Sequence, residues 1–201
     1  MEIKRCEFTL EDVIQVLENP YINQLSPLEY GKAIQSAVEH YVSEKINLIS
    51  GEKILVDVEK DEILKEKFNY ANNGPGFDRL LLTKEKRVQL KFRQVDGSTP
   101  YSRQTHFENT RRHSEKNLGS SSKSGHVCYS TNEFDYVVVV LCHIKNMERT
   151  NYKNWSYSLI PIQDLEDPIN KGFCLPHIPS NSLKEYACET IEELTKKFHL
   201  I

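Results

Sequence analysis

Apolar positions along this chain recur first at helical spacing and later at strand spacing. Between Pro27 and Ile49, residues Ala33, Ala37, Val38, Tyr41, Val42 and Ile46 fall on one face of a 3.6-residue repeat, which predicts a long amphipathic helix. Ser26-Pro27-Leu28-Glu29 provides a cap, a first-turn proline and an early acid at its start, and Gly51 closes it. A shorter helix precedes it, opening at Thr9 as N-cap, running to about Glu18 and ending at Asn19-Pro20. Asp78 to Thr83 and Val88 to Arg93 are two short runs joined by the charged turn Lys84-Glu85-Lys86-Arg87, the pattern of adjacent antiparallel strands. Phe134 to Cys142 is continuously apolar and predicts a central strand covered on both faces. Trp155 to Ile162 alternates as a further strand, with Pro161 marking an edge or a strand end.

Other stretches are less decided. Ile54 to Val58 reads as a strand and Asp61 to Phe68 as a charged helix. Thr105 to Asn117 suits a basic helix, Gly119 to Gly125 a flexible loop, and Leu183 to Phe198 one final helix packing Tyr186, Ala187, Ile191 and Leu194. The sum is an α/β chain, a single domain over residues 1–201 with a central mixed β-sheet flanked by helices.

Composition adjusts this picture only slightly. Hydrophobic residues at 38% and charged residues at 27% are ordinary for a folded globular domain of 201 residues, so disorder is excluded as a class. No apolar run reaches the roughly 20 residues that span a bilayer, so no membrane partner is expected. Met1 to Cys6 lacks an apolar signal core, and the five cysteines follow no regular spacing; together they lead to the expectation of a cytoplasmic protein with reduced thiols and no zinc site.

Charge matters more. Residues 84–124 carry ten Lys/Arg against four acids, a net of +6, within a chain whose total is −3. A basic segment in an otherwise acidic protein is a local anion-binding signal, set against the plainer reading of a solvated charged face. The segment at about 93–126 also holds residues suited to DNA. Arg93, Arg103, Arg111, Arg112, Lys116 and Lys123 fit phosphates or guanine edges; Gln94, Gln104 and Asn109 fit adenine edges; Tyr101 and His106 stand among them.

Gln89 and Lys91 are two apart on one strand and therefore share a face, and the hairpin brings Asp78 beside them. An acid, an amide oxygen and an ammonium on one sheet surface can hold a metal ion and a phosphate. Without a metal, the same groups are a surface ion pair.

The helix bearing a Glu, then Pro75-Gly76-Phe77-Asp78, an apolar strand and Gln89-Leu90-Lys91 resembles the PD-(D/E)XK nuclease superfamily over roughly residues 27–165. The resemblance implies a restriction endonuclease-like core. It makes Asp78 the metal-binding aspartate, Gln89 the occupant of the Asp/Glu position, Leu90 a backbone carbonyl ligand and Lys91 the catalytic lysine. Glu39 is then the accessory helix acid, with Gln35 one turn earlier as its competitor. Two departures stand out: Phe77 precedes Asp78, and Gln89 replaces a carboxylate, as in some homing and transposition nucleases. The implied cofactor is Mg²⁺, with Mn²⁺ as substitute and one dominant ion, since a neutral ligand weakens a second. The implied activity is that of a type II restriction enzyme cutting double-stranded DNA as a homodimer, because one short chain offers one site and a duplex has two strands. The alternatives are a homing, repair or junction-resolving nuclease of the same fold, or a DNA-binding module without catalysis.

Overall fold

The computed structural model describes residues 9–68, 77–96, 105–106, 108–109, 127–145 and 148–201. The chain enters through two helices, α1 (Leu10–Glu18) and α2 (Pro27–Ser50). Each begins with a reciprocal capping box, Thr9 with Asp12 and Ser26 with Glu29, which satisfies backbone N–H groups that a first turn leaves without partners. Gly51 ends α2 in the left-handed conformation at φ 71°, where a Cβ would be strained. Both helices are those expected from the sequence.

A seven-stranded mixed sheet follows. Its strands are β1 (Leu55–Val56), β2 (Arg79–Leu81), β3 (Lys86–Asp96), β7 (Tyr136–Lys145), β8 (Glu148–Arg149), β9 (Ser156–Pro161) and β11 (Ala187–Cys188). The spatial order is β1-β2-β3-β7-β9-β11, with β8 attached to β7. β3 and β7 run parallel from Val88↔Tyr136 to Asp96↔Ile144, and every other pair in this sheet is antiparallel. The ambiguous stretch resolves into the two-residue β1, a single turn at Val58–Lys60 and α3 (Glu62–Lys67).

Two layers cover the sheet. On one face α1, α2 and α5 (Ile191–Leu200) bury Ile34, Val38, Val42 and Ile46 against Leu90, Val138 and Val140. On the other, Val137, Val139, Leu141 and Ile160 pack against Phe134, Leu165, Ile178 and Leu183, the last from α4 (Ser180–Glu185). β7 therefore has a core on each side, as its continuous apolar run requires. Pro161 terminates β9, which lies inside the sheet between β7 and β11.

Two expectations need correction. The stretch from Leu183 to Phe198 is not one helix: α4 stops at Glu185, Ala187 and Cys188 pair with Ser158 and Tyr157 of β9, and α5 restarts with Thr190 as N-cap. Sheet pairing outweighs the helical spacing there. Nor are Thr105, His106, Glu108 and Asn109 helical. Thr105–His106 forms β4, paired with β10 (His177–Ile178), and Glu108–Asn109 forms β5, paired with β6 (Val127–Cys128). The remainder of that expected helix and the 119–125 loop lie outside the described residues.

Candidate functional site

The site forms where β2 leaves β3. Arg79, Leu80 and Leu81 pair with Val88, Arg87 and Lys86, and the Asp78 N–H still donates to the Val88 carbonyl at 3.0 Å. β3 continues to Asp96. A strand residue turns its own N–H and C=O to the same edge, and at Leu90 side chains rather than a strand meet both. The Asp78 carboxylate oxygen Oδ2 accepts the Leu90 N–H at 2.8 Å. The Gln89 amide Nε2 donates both to that Oδ2, at 2.5 Å, and to the Leu90 carbonyl, at 3.3 Å. Asp78 thus replaces the missing strand as a ladder acceptor.

Lys91 lies on the Gln89 face. Its ammonium donates to the Tyr129 hydroxyl at 2.7 Å and stands 4.9 Å from the ring centroid. With the nitrogen so close to the oxygen and so far from the ring centre, the contact is a hydrogen bond at the hydroxyl end before it is a cation–π interaction. Burial raises the pKa of Tyr129, so the phenol is neutral at physiological pH.

Glu39 approaches from α2. It is partly buried, and Gln35 one turn earlier is exposed and donates to its carboxylate at 3.2 Å. Of the two, Glu39 is the more buried, and Gln35 serves as its hydrogen-bond donor. Burial, followed by the negative charge of Asp78, pushes the Glu39 pKa up to about 7; Arg79, Gln35 and Lys91 oppose the rise. Glu39 and Arg79 line one cavity beside α2, which brings Glu39 to the edge of the same cluster.

Three residues that sequence reasoning missed hold the cluster together. Arg79 is buried, donates from Nε to the Ser43 hydroxyl at 2.8 Å and from Nη1 to the Asp78 carbonyl at 2.7 Å, and lies 3.8 Å from the Asp57 carboxylate. Ser43 in turn donates to the Glu39 carbonyl at 2.8 Å. A continuous chain of hydrogen bonds thus joins the backbone of Glu39 to that of Asp78. The signals were present: an arginine beside a leucine run, and a serine on the apolar face of a helix. Tyr129 gave no such signal, because only the tertiary fold brings it to Lys91.

Asp78 Oδ2 and the Leu90 carbonyl both lie within reach of the Gln89 amide nitrogen, so a small cation that displaced the amide from between them would meet two oxygens. Rotating the Gln89 amide by half a turn would offer its oxygen as a third, since the two ends of the amide have the same shape. Such an all-oxygen set suits a hard divalent ion such as Mg²⁺. No group of three or more His, Cys, Asp or Glu suited to a metal exists among the described residues. A cavity of about 640 Å³ runs along α2 with Arg79 in its wall and without Asp78, Gln89 or Lys91. Duplex DNA presents its phosphates from outside, so phosphodiester hydrolysis does not require an enclosed pocket.

The expected DNA-contacting residues fare unevenly. Arg93 shares the Lys91 face of β3. Gln94 lies on the opposite face, where its side-chain oxygen accepts from Arg149 Nε at 2.7 Å; Arg149 also donates to the Asn23 and Leu25 carbonyls and so ties β3 to the α1–α2 connection. His106 and Asn109 sit in β4 and β5. Tyr101, Arg103, Gln104, Arg111, Arg112, Lys116 and Lys123 lie outside the described residues. No helix among the described residues is long and apolar enough to cross a membrane. Comparison with known proteins finds no matching family model and no matching curated protein.

Proposed function

We propose that this protein is a Mg²⁺-dependent DNA endonuclease of the PD-(D/E)XK kind. It hydrolyses phosphodiester bonds at a specific site in double-stranded DNA, as a type II restriction enzyme acting in the cytoplasm as a homodimer. The observation that carries the reading is the convergence of Asp78, Gln89, the Leu90 carbonyl and Lys91 at the point where β2 leaves β3, with Glu39 held beside them. The net +6 of residues 84–124 supports a polyanionic partner. A homodimer supplies the second centre that cutting two strands demands. The buried thiols of Cys128, Cys142, Cys174 and Cys188 suit a reducing compartment.

Each residue has a separate task. Asp78, Leu90 and a rotated Gln89 hold the ion, and Mg²⁺, when bound, supplies Lewis-acid stabilisation of charge on the attacked phosphate. Lys91 donates hydrogen bonds to a non-bridging phosphate oxygen or orients the attacking water. Glu39, with its pKa near neutrality, accepts a proton at its carboxylate.

One observation favours a second reading. The Gln89 amide already satisfies both Asp78 and the Leu90 carbonyl, so the cluster closes on itself without an ion, as a DNA-binding module that had lost catalysis would. Incubation with phage DNA and Mg²⁺ separates the two. Discrete fragments support the restriction enzyme, and preferential cutting of branched DNA supports a junction-resolving relative. Binding without cleavage in Mg²⁺ or Mn²⁺ rejects the enzyme in favour of the module.

A further inference from the structure

We infer that Tyr129 is the positioning residue for Lys91, holding its ammonium with a neutral acceptor so that the charge stays available to a phosphate. The inference rests on the nuclease reading for its catalytic consequence, though not for the contact itself. A lysine side chain has four rotatable bonds, and a free one spreads its ammonium over many positions. Here one of the three N–H groups is fixed at 2.7 Å on the Tyr129 hydroxyl, leaving two for a substrate.

Tyr129 is itself well anchored. It is buried, its ring packs edge-on against Phe134 with centroids 5.3 Å apart, and its carbonyl accepts the Cys174 N–H at 2.8 Å. The choice of partner has an electrostatic meaning. A carboxylate at this distance would fix the ammonium equally well but neutralise it, and a phosphate would then compete with that carboxylate for the same cation. A buried phenol stays uncharged, so it orients the ammonium without opposing its attraction to an anion.

The decisive variant is Tyr129→Phe, which removes the hydroxyl and keeps the ring; if the ring face were what held Lys91, this variant would behave as wild type. Positioning predicts that kcat for DNA cleavage falls about 10–100-fold, the range seen when an orienting partner is lost. KM should stay within about twofold of wild type, because the lost interaction acts on the transition state. The second readout does not use activity: the ¹H–¹⁵N signal of the Lys91 ammonium, visible when a hydrogen bond slows its proton exchange, should be present in wild type and absent in Tyr129→Phe. Unchanged kcat together with a persisting ammonium signal overturns the inference. If the wild type does not cut DNA at all, the nuclease reading fails by itself. Loss of the ammonium signal on substitution would then still support the hold on Lys91, and its persistence would overturn it.

Discussion

Leu90 and Lys91 are adjacent in the chain and opposite in environment. Leu90 is 1% exposed among Val38, Val42, Val138 and Val140, on the face that α2 covers. Lys91 lies on the other face, in the company of Gln89, Tyr129 and the serines of β9. The contrast extends across the sheet. Along its flank a long helix offers no spare backbone donors and only the second lone pair of its carbonyls, so the face beneath it is filled mainly by apolar side chains, and Ser43 and Arg79, two of the polar groups there, are tied to each other. Among the described residues the opposite face is covered by the short helix α4 and by turns and loops, whose ends do offer such groups. Ser158 donates to the Leu183 carbonyl, and Ser156 meets His143 at 2.7 Å. Polar chemistry is tolerated on that face because its cover can satisfy it.

This contrast predicts that neighbouring substitutions fail in different ways. Lys91→Ala should lower cleavage by about 10³-fold, roughly 4 kcal/mol of activation free energy, while shifting the urea midpoint only slightly. A large loss of stability in this variant would show that Lys91 is a packing residue after all. Leu90→Ala should do the reverse, costing about 3 kcal/mol of stability by leaving a cavity under α2, with kcat of the folded fraction close to wild type because the backbone carbonyl is kept.

Glu39 stands on the border between the two regions, and its effect depends on pH. Its folded pKa of about 7 lies above its ordinary value of 4.5, so between those values the folded state holds a proton that the unfolded chain has released. Stability should therefore fall as pH rises from 4.5 to 7, by about 2 kcal/mol after allowing for its partial exposure. Glu39→Gln should match the wild type near pH 4.5 and exceed it at about pH 8 in metal-free urea titrations. Equal stability at both pH values would place Glu39 in solvent rather than beside Asp78. The smallest effect is expected at Ser26→Ala, which removes the α2 cap far from the cluster: about 1 kcal/mol of stability and no change in cleavage rate.

What was legible in the sequence follows from the range of the interactions involved. Caps, a hairpin and a continuous apolar strand are local signals, and they located α2, β2, β3 and β7. The grouping of Asp78, Gln89 and Lys91 was legible because two-residue periodicity and a short turn bring them together, whereas Glu39 came only from the family resemblance, with helical spacing leaving Gln35 as its alternative. The break in the final helix was also written locally, since Thr190 and Glu193 have the spacing of a cap, but the helical run on either side obscured it. β4 and β5 were not legible. His106 pairs with His177, and Asn109 with Val127, and no local pattern announces a partner that far along the chain. The same holds for Tyr129 at Lys91 and for Arg79 at Ser43, 38 and 36 residues apart.

The parallel register of β3 on β7 has a consequence for folding kinetics. Its partners, such as Leu90 and Val138, are 48 residues apart, so the pairing closes a long loop before it returns any contact energy. Non-local pairing of this kind slows folding relative to local helix formation. α2 can form within its own sequence, whereas the strand that carries Gln89, Leu90 and Lys91 gains its support only when β7 docks. Recovery of function after dilution from denaturant should then lag the return of helical signal and coincide with formation of the sheet.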